Sequence, residues 1–144
     1  MVQGEQFYQK SMKGIYVLII AIDRNISVNI GALGKLSLEK GLYAYVGSAQ
    51  NNLEEPIKRH LRTEKAKFWH IDYLLGNSPV KVVKVFYKRA GKPNECKIAT
   101  QLAKKGSPIR GFGSSDCKCE SHLIRVEDYQ FLREHMRETV VGPA

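Results

Sequence analysis

The chain has 144 residues, 43% of them apolar and 26% charged, and its 23 Lys and Arg outweigh 14 Asp and Glu to give a formal charge of +9. That length and apolar fraction suit one compact domain with its own core and argue against a disordered or fibrous chain. The longest strictly apolar run, Ile15 to Ile22, is too short to cross a bilayer; the polar start Met1-Val2-Gln3-Gly4-Glu5 has no secretory pattern; and three cysteines, an odd number with two separated only by Lys118, do not read as the disulfide framework of a secreted module. The expectation is a cytoplasmic protein with no membrane partner.

Residues 1–12 read as a loose arm and 139–144 as a tail, with a single domain between them. From Gly14 to Ile22 both alternating faces are apolar, which predicts a central strand covered on both sides. Asp23-Arg24-Asn25 is a turn, Ile26 to Ile30 a short strand, Gly31 to Gly34 a second turn, and Lys35 to Leu38 another short strand. Leu42 to Gly47 follows as a strand with Tyr43 and Tyr45 on one face, and the short connections suit an antiparallel meander.

Asn51 or Asn52 can cap a helix running to about Thr63, with Leu53, Ile57 and Leu61 as its buried stripe and Pro56 tolerated in the first turn. A second short helix is predicted from Phe68 to Leu75, and Val80 to Tyr87 is the clearest later strand. Asn94 is placed to cap a helix that ends at Lys105 before Gly106 and Pro108. Gly111 to Ser115 reads as a loop, Ser121 to Val126 as a strand and Asp128 to Glu138 as a closing helix. The sum is an α/β (α+β) domain in which helices flank a small, mainly antiparallel central sheet.

The positive charge is concentrated. Between Val80 and Arg110 there are nine basic residues (Lys81, Lys84, Lys88, Arg89, Lys92, Lys97, Lys104, Lys105 and Arg110) against the single acid Glu95, a local excess of +8. Such clustering is the electrostatic footprint of a polyanion partner, because every neutralised phosphate releases condensed counterions. Nucleic acid, with DNA favoured, is the expected partner; a lysine-decorated solvated face is the plainer alternative.

Several residues carry chemistry only in combination. Tyr16 alone is an ordinary core tyrosine, Glu95 alone an ordinary first-turn acid, and Trp69 and Tyr73 read as packing groups. Arg59 and Arg62 are a solvated or phosphate-positioning pair. Cys96, Cys117, Cys119 and His122 are four groups able to close a tetrahedral zinc site, although Cys-x-Cys-x2-His departs from the common Cys-x2-Cys spacing; reduced, partly buried thiols beside the Gly111 to Ser115 loop are the alternative.

Gly14-Ile15-Tyr16, Tyr45-Val46-Gly47, the following Ser-Ala-Gln-Asn-Asn-Leu, Arg59-His60-Leu61-Arg62 and Glu95 occur in an order that resembles the GIY-YIG nuclease superfamily. Trp69-His70-Ile71-Asp72-Tyr73-Leu74-Leu75 and Gly111-Phe112-Gly113-Ser114-Ser115-Asp116-Cys117 further resemble a small prokaryotic GIY-YIG-like branch. The resemblance implies a metal-dependent endonuclease, with Tyr16 and Tyr45 at the reacting phosphate, Arg59 and His60 on the arginine helix and Glu95 on magnesium. Arg62, Lys81, Lys84, Lys88, Arg89, Lys92 and Lys97 would then hold nucleic acid. The position that ordinarily carries the catalytic arginine is Pro56, so a catalytically silent nucleic-acid-binding module stands as the alternative, beside a zinc-stabilised interaction domain.

Overall fold

The computed structural model describes residues 14–49, 57, 70–113 and 119–139. Its centre is β1 (Gly14–Ile22), whose uninterrupted apolar sequence leaves no face for water. β1 pairs antiparallel along its whole length with β4 (Gly41–Ala49) on one side and with β5 (Val80–Lys88) on the other, the second ladder shifting register between Ile19 and Ile20. Beyond β4 lie β7 (Leu123–Val126) and the two-residue β6 (Ser107–Pro108); beyond β5 lies β8 (Arg137–Thr139). The six-stranded order is β6-β7-β4-β1-β5-β8, with every neighbouring pair antiparallel. β2 (Ile26–Asn29) and β3 (Lys35–Leu38) form a separate hairpin inserted between β1 and β4.

Because strand side chains alternate, the sheet has two apolar faces. Tyr16, Leu18, Ile20, Tyr43, Tyr45 and Tyr87 share one with Phe112 and with Ile71 and Leu74 of α1 (His70–Leu75). Ile15, Val17, Ile19, Val46, Phe86 and Ile124 share the other with Ile98, Ala99 and Leu102 of α2 (Pro93–Lys105) and Leu132 of α3 (Gln130–His135). Ile15, Leu18, Ile19 and Ile20 are fully buried, and side chains of this size each contribute about 1.5–3 kcal/mol on leaving water.

Four expectations are corrected. The strands from β1 to β4 do not form a meander of successive neighbours: β1 pairs directly with β4, and β2 and β3 pair only with each other. α2 begins at Pro93, so Asn94 is inside the helix instead of capping it; the fixed φ of proline suits the first helical position, where a missing N–H costs nothing. The closing helix covers only Gln130–His135, and the chain then straightens into β8. β8 pairs with Val85 to Tyr87 and brings Glu138 within 2.6 Å of Lys84, covering an edge of β5 that would otherwise present unpaired backbone groups. Finally, β7 begins at Leu123 and not Ser121: the Ser121 hydroxyl bonds the Leu123 N–H and C=O at 2.9 Å each, a local side-chain partnership that competes with a strand ladder. The helix expected between Asn51 and Thr63 lies outside the described residues except for Ile57, which is helical and buried.

Candidate functional site

The strand registers bring both motif tyrosines to one end of the sheet. Gly14 stands opposite Ala49, Tyr16 opposite Gly47, Leu18 opposite Tyr45 and Ile15 opposite Lys88, so the start of β1, the end of β4 and the end of β5 coincide. Tyr16 and Tyr45 point to the same face and are 5% and 8% exposed. The Tyr16 ring lies directly over Gly47: a β-carbon there would meet Tyr16 Cε1 at 2.7 Å, with Cζ and Oη closer still. Gly47 is thus the seat of the Tyr16 ring, and a glycine in a strand interior often marks such close approach.

Phe112, His70 and Gly113 complete this end. Phe112 meets the Tyr45 ring edge-on, with centroids 6.1 Å apart, and the His70 ring at 5.5 Å. The Gly113 N–H donates to His70 Nδ1 at 2.8 Å, so the neutral imidazole carries its proton on Nε2. Burial holds the His70 pKa below its ordinary value, which favours that neutral form. Gly113 has φ of +71°, and a β-carbon on it would lie 3.3 Å from His122 Cβ and 3.4 Å from Tyr45 Cε1. Gly113 is therefore the spacer between Tyr45 and His122.

On the far side of that spacer is a second cluster. Glu95, Ile98, Ala99 and Leu102 make up the inward stripe of α2, so the Glu95 carboxylate faces the sheet from the first helical turn. Its Oε2 is 3.6 Å from His122 Nδ1, and its Oε1 is 3.6 Å from Lys92 Nζ. His122 is held by its backbone, with its N–H on the Phe112 carbonyl at 2.8 Å and its carbonyl on the Val46 N–H at 2.9 Å. The other ring nitrogen, Nε2, is 3.0 Å from Cys119 Sγ and 4.0 Å from Cys96 Sγ, and the two sulfurs are 2.9 Å apart. Cys119 is in no disulfide, whereas Cys96 is disulfide-bonded.

Of the residues expected at the site, Tyr16, Tyr45 and Glu95 are brought to one end of the sheet, the tyrosines on one face and Glu95 on the helix that covers the other. Arg59, His60, Arg62, Pro56 and Cys117 lie outside the described residues. The basic stretch does not form one face. Lys88, Arg89 and Lys92 are exposed at the tyrosine end, whereas Lys81 lies at the opposite end, opposite Ala21. Lys97 is exposed on α2, Lys104 and Lys105 are exposed in its last turn, and Lys84 is tied to Glu138. The charge spreads because β5 runs from the opposite end toward this one and α2 then carries the chain away from it, so a cluster in sequence is divided in space. His70 and Phe112 were not assigned a role from sequence, and no local spacing links them to Tyr45.

Fold and site together define a small α+β protein with a six-stranded antiparallel sheet, a tyrosine-lined sheet end and a thiol–imidazole cluster beside it. The chain belongs to the DUF123 family, described as a domain of unknown function, whose model matches residues 15–142. No curated protein and no solved structure matches it. No helix among the described residues is long and apolar enough to cross a membrane.

Proposed function

We propose that this protein binds nucleic acid and hydrolyses its phosphodiester bonds in the GIY-YIG manner, at the sheet end where Tyr16 and Tyr45 stand. The observation that carries the reading is the seating of Tyr16 on Gly47 with Tyr45 next on the same face, two motif glycine and tyrosine positions whose pairing has a steric purpose. Lys88, Arg89 and Lys92, exposed at the same end, are the groups that would hold the phosphate backbone.

In an in-line displacement, negative charge grows on the non-bridging and leaving oxygens, and a positioned tyrosine oxygen orients or deprotonates the attacking water. Magnesium binds through one or two carboxylates, substrate phosphate and retained waters. The Glu95 carboxylate meets that minimum: Oε2 is turned to His122, while Oε1 has as its ion-pair partner Lys92, a side chain 55% exposed. Glu95 would hold the ion, which would neutralise charge on the phosphate. Loss of one such electrostatic group costs roughly 3–4 kcal/mol of transition-state stabilisation.

The test is nicking of supercoiled plasmid, with and without magnesium, by wild type, Tyr16→Phe and Glu95→Ala. Magnesium-dependent nicking lost in both variants supports the reading; nicking equal in all three refutes it. A second reading, binding without cleavage, is favoured by Pro56 at the position of the expected arginine. Cleavage gained only in Pro56→Arg would establish that reading, and affinity that is negligible at low salt would end it.

A further inference from the structure

We infer that the reduced protein holds a zinc ion between Cys96, Cys119 and His122, and that Glu95 positions His122 for it. This site shares Glu95 with the magnesium reading above but does not depend on it. Three chemically soft donors converge from two parts of the chain: Cys96 from the first turn of α2, and Cys119 and His122 from the segment leading into β7. Their ligand atoms lie within 4.8 Å of one another. In a tetrahedral zinc site with Zn–S near 2.3 Å and Zn–N near 2.0–2.1 Å, neighbouring donors stand about 3.5–3.8 Å apart. The present separations of 2.9, 3.0 and 4.0 Å reach that geometry through shifts of less than about 1 Å.

The donor chemistry selects the metal class. Two thiolates and an imidazole suit zinc, and they are poor partners for magnesium or calcium, which take oxygen ligands. The stronger indication comes from the far side of the ring. A metal-ligating histidine almost always gives its other N–H to a carboxylate or carbonyl, which fixes the tautomer and the ring orientation. Here Nε2 faces the sulfurs while Nδ1 faces Glu95 Oε2 at 3.6 Å, both groups being buried. A buried carboxylate behind an imidazole that points into two sulfurs is the outer support such a site needs.

Position in the fold says what the ion would do. Among these donors it would tie the start of α2 to the segment before β7, and His122 is bonded through its backbone to Val46 of β4. Binding displaces one proton from each thiol, so affinity rises with pH. Since Cys96 also enters a disulfide, the ion and that disulfide compete for the same sulfur, and only reduced protein can bind.

The experiment uses the full chain, purified without a metal-binding tag, reduced with a phosphine and kept free of nucleic acid and magnesium. Zinc is counted by elemental analysis, its affinity is read by competition with a chromophoric chelator, and cobalt replaces zinc for absorption spectroscopy. Expected are about one zinc per chain, thiolate-to-cobalt charge-transfer bands, and loss of both in Cys119→Ser. Glu95→Ala should weaken zinc about 10- to 100-fold, as loss of an outer partner does, while Glu95→Gln, which retains an acceptor for Nδ1–H, restores most of that affinity. Reduced wild type that keeps no zinc after exposure to excess, or a cobalt spectrum without thiolate bands, overturns the inference. Because both readouts use wild type, the result stands even if a variant fails to fold. Neither depends on cleavage, so this site and the nuclease reading fail separately.

Discussion

Replacing Gly47 by alanine tests whether the Tyr16 seat is built as described. Alanine in a strand interior ordinarily gains roughly 0.5–1 kcal/mol over glycine, because less backbone entropy is lost on folding. At this position the added methyl would lie 2.7 Å from Tyr16 Cε1, and nearer to Cζ and Oη, in a ring that is 5% exposed. The ring must therefore move against its packed neighbours, and overpacking of this kind costs typically 1–3 kcal/mol. We expect Gly47→Ala to destabilise by about that amount, measured by urea unfolding at constant m-value. The decisive comparison is with Tyr16→Leu, whose shorter side chain lacks the Cε, Cζ and Oη atoms that clash. In that background the Gly47→Ala penalty should fall to about zero or become a small gain, giving a coupling of about 1–3 kcal/mol in the double-mutant cycle. Equal penalties in both backgrounds would show that Tyr16 does not occupy the space over Gly47, and the support for paired motif tyrosines would go with it.

At Gly106 a methyl would run into the Arg125 backbone carbonyl and come within 2.9 Å of Ile124 Cγ2; Gly106→Ala should cost at least about 1–3 kcal/mol in the same urea assay, with no relief from trimming the Arg125 side chain. His70 has a folded-state pKa below its unfolded value of about 6.5. The unfolded chain therefore binds more protons, and the stability this histidine contributes should be present above pH 6.5 and decline as pH falls below it. His70→Asn, which keeps an acceptor for the Gly113 N–H, should flatten that slope relative to wild type. Tyr43→Phe removes a buried hydroxyl that donates to the Glu39 carbonyl at 2.7 Å, with an expected loss of about 0.5–1.5 kcal/mol in thermal or urea unfolding.

Much of the architecture was legible in the sequence, for reasons visible in single elements. β1 could be placed at the centre because its nine residues carry no polar side-chain group beyond the Tyr16 hydroxyl, and the hairpin of β2 and β3 because its turns are marked by Asn25, Gly31 and Gly34. What escaped was non-local. β8 was hidden because the closing residues, read alone, extend a helical pattern, and the free edge of β5 that recruits them is visible only in the sheet. The inward aim of Glu95 was available locally, since it precedes Ile98, Ala99 and Leu102 at helical spacing, but its target His122 is 27 residues away. The single residue between Cys117 and Cys119 made zinc look unconventional, whereas the approach of Cys119 and His122 to Cys96 depends on α2 folding back along β7 and could not be read from either segment.

The position of Glu95 makes it the residue at which the two chemical readings meet and also the one at which they can be separated. Its two oxygens face different ways, Oε1 toward exposed Lys92 and Oε2 toward buried His122. Alanine removes both, so loss of cleavage in Glu95→Ala has two physical routes, an absent charge for a hard cation or a loosened imidazole and a shifted α2. Glutamine separates them: its amide oxygen can accept from His122 Nδ1–H, while the full negative charge that attracts magnesium is gone. Zinc content near the wild-type level with cleavage abolished would assign Glu95 Oε1 to the reacting phosphate's ion. Zinc content and cleavage both near wild type would instead confine Glu95 to positioning His122, and the catalytic charge would have to come from another group at the tyrosine end.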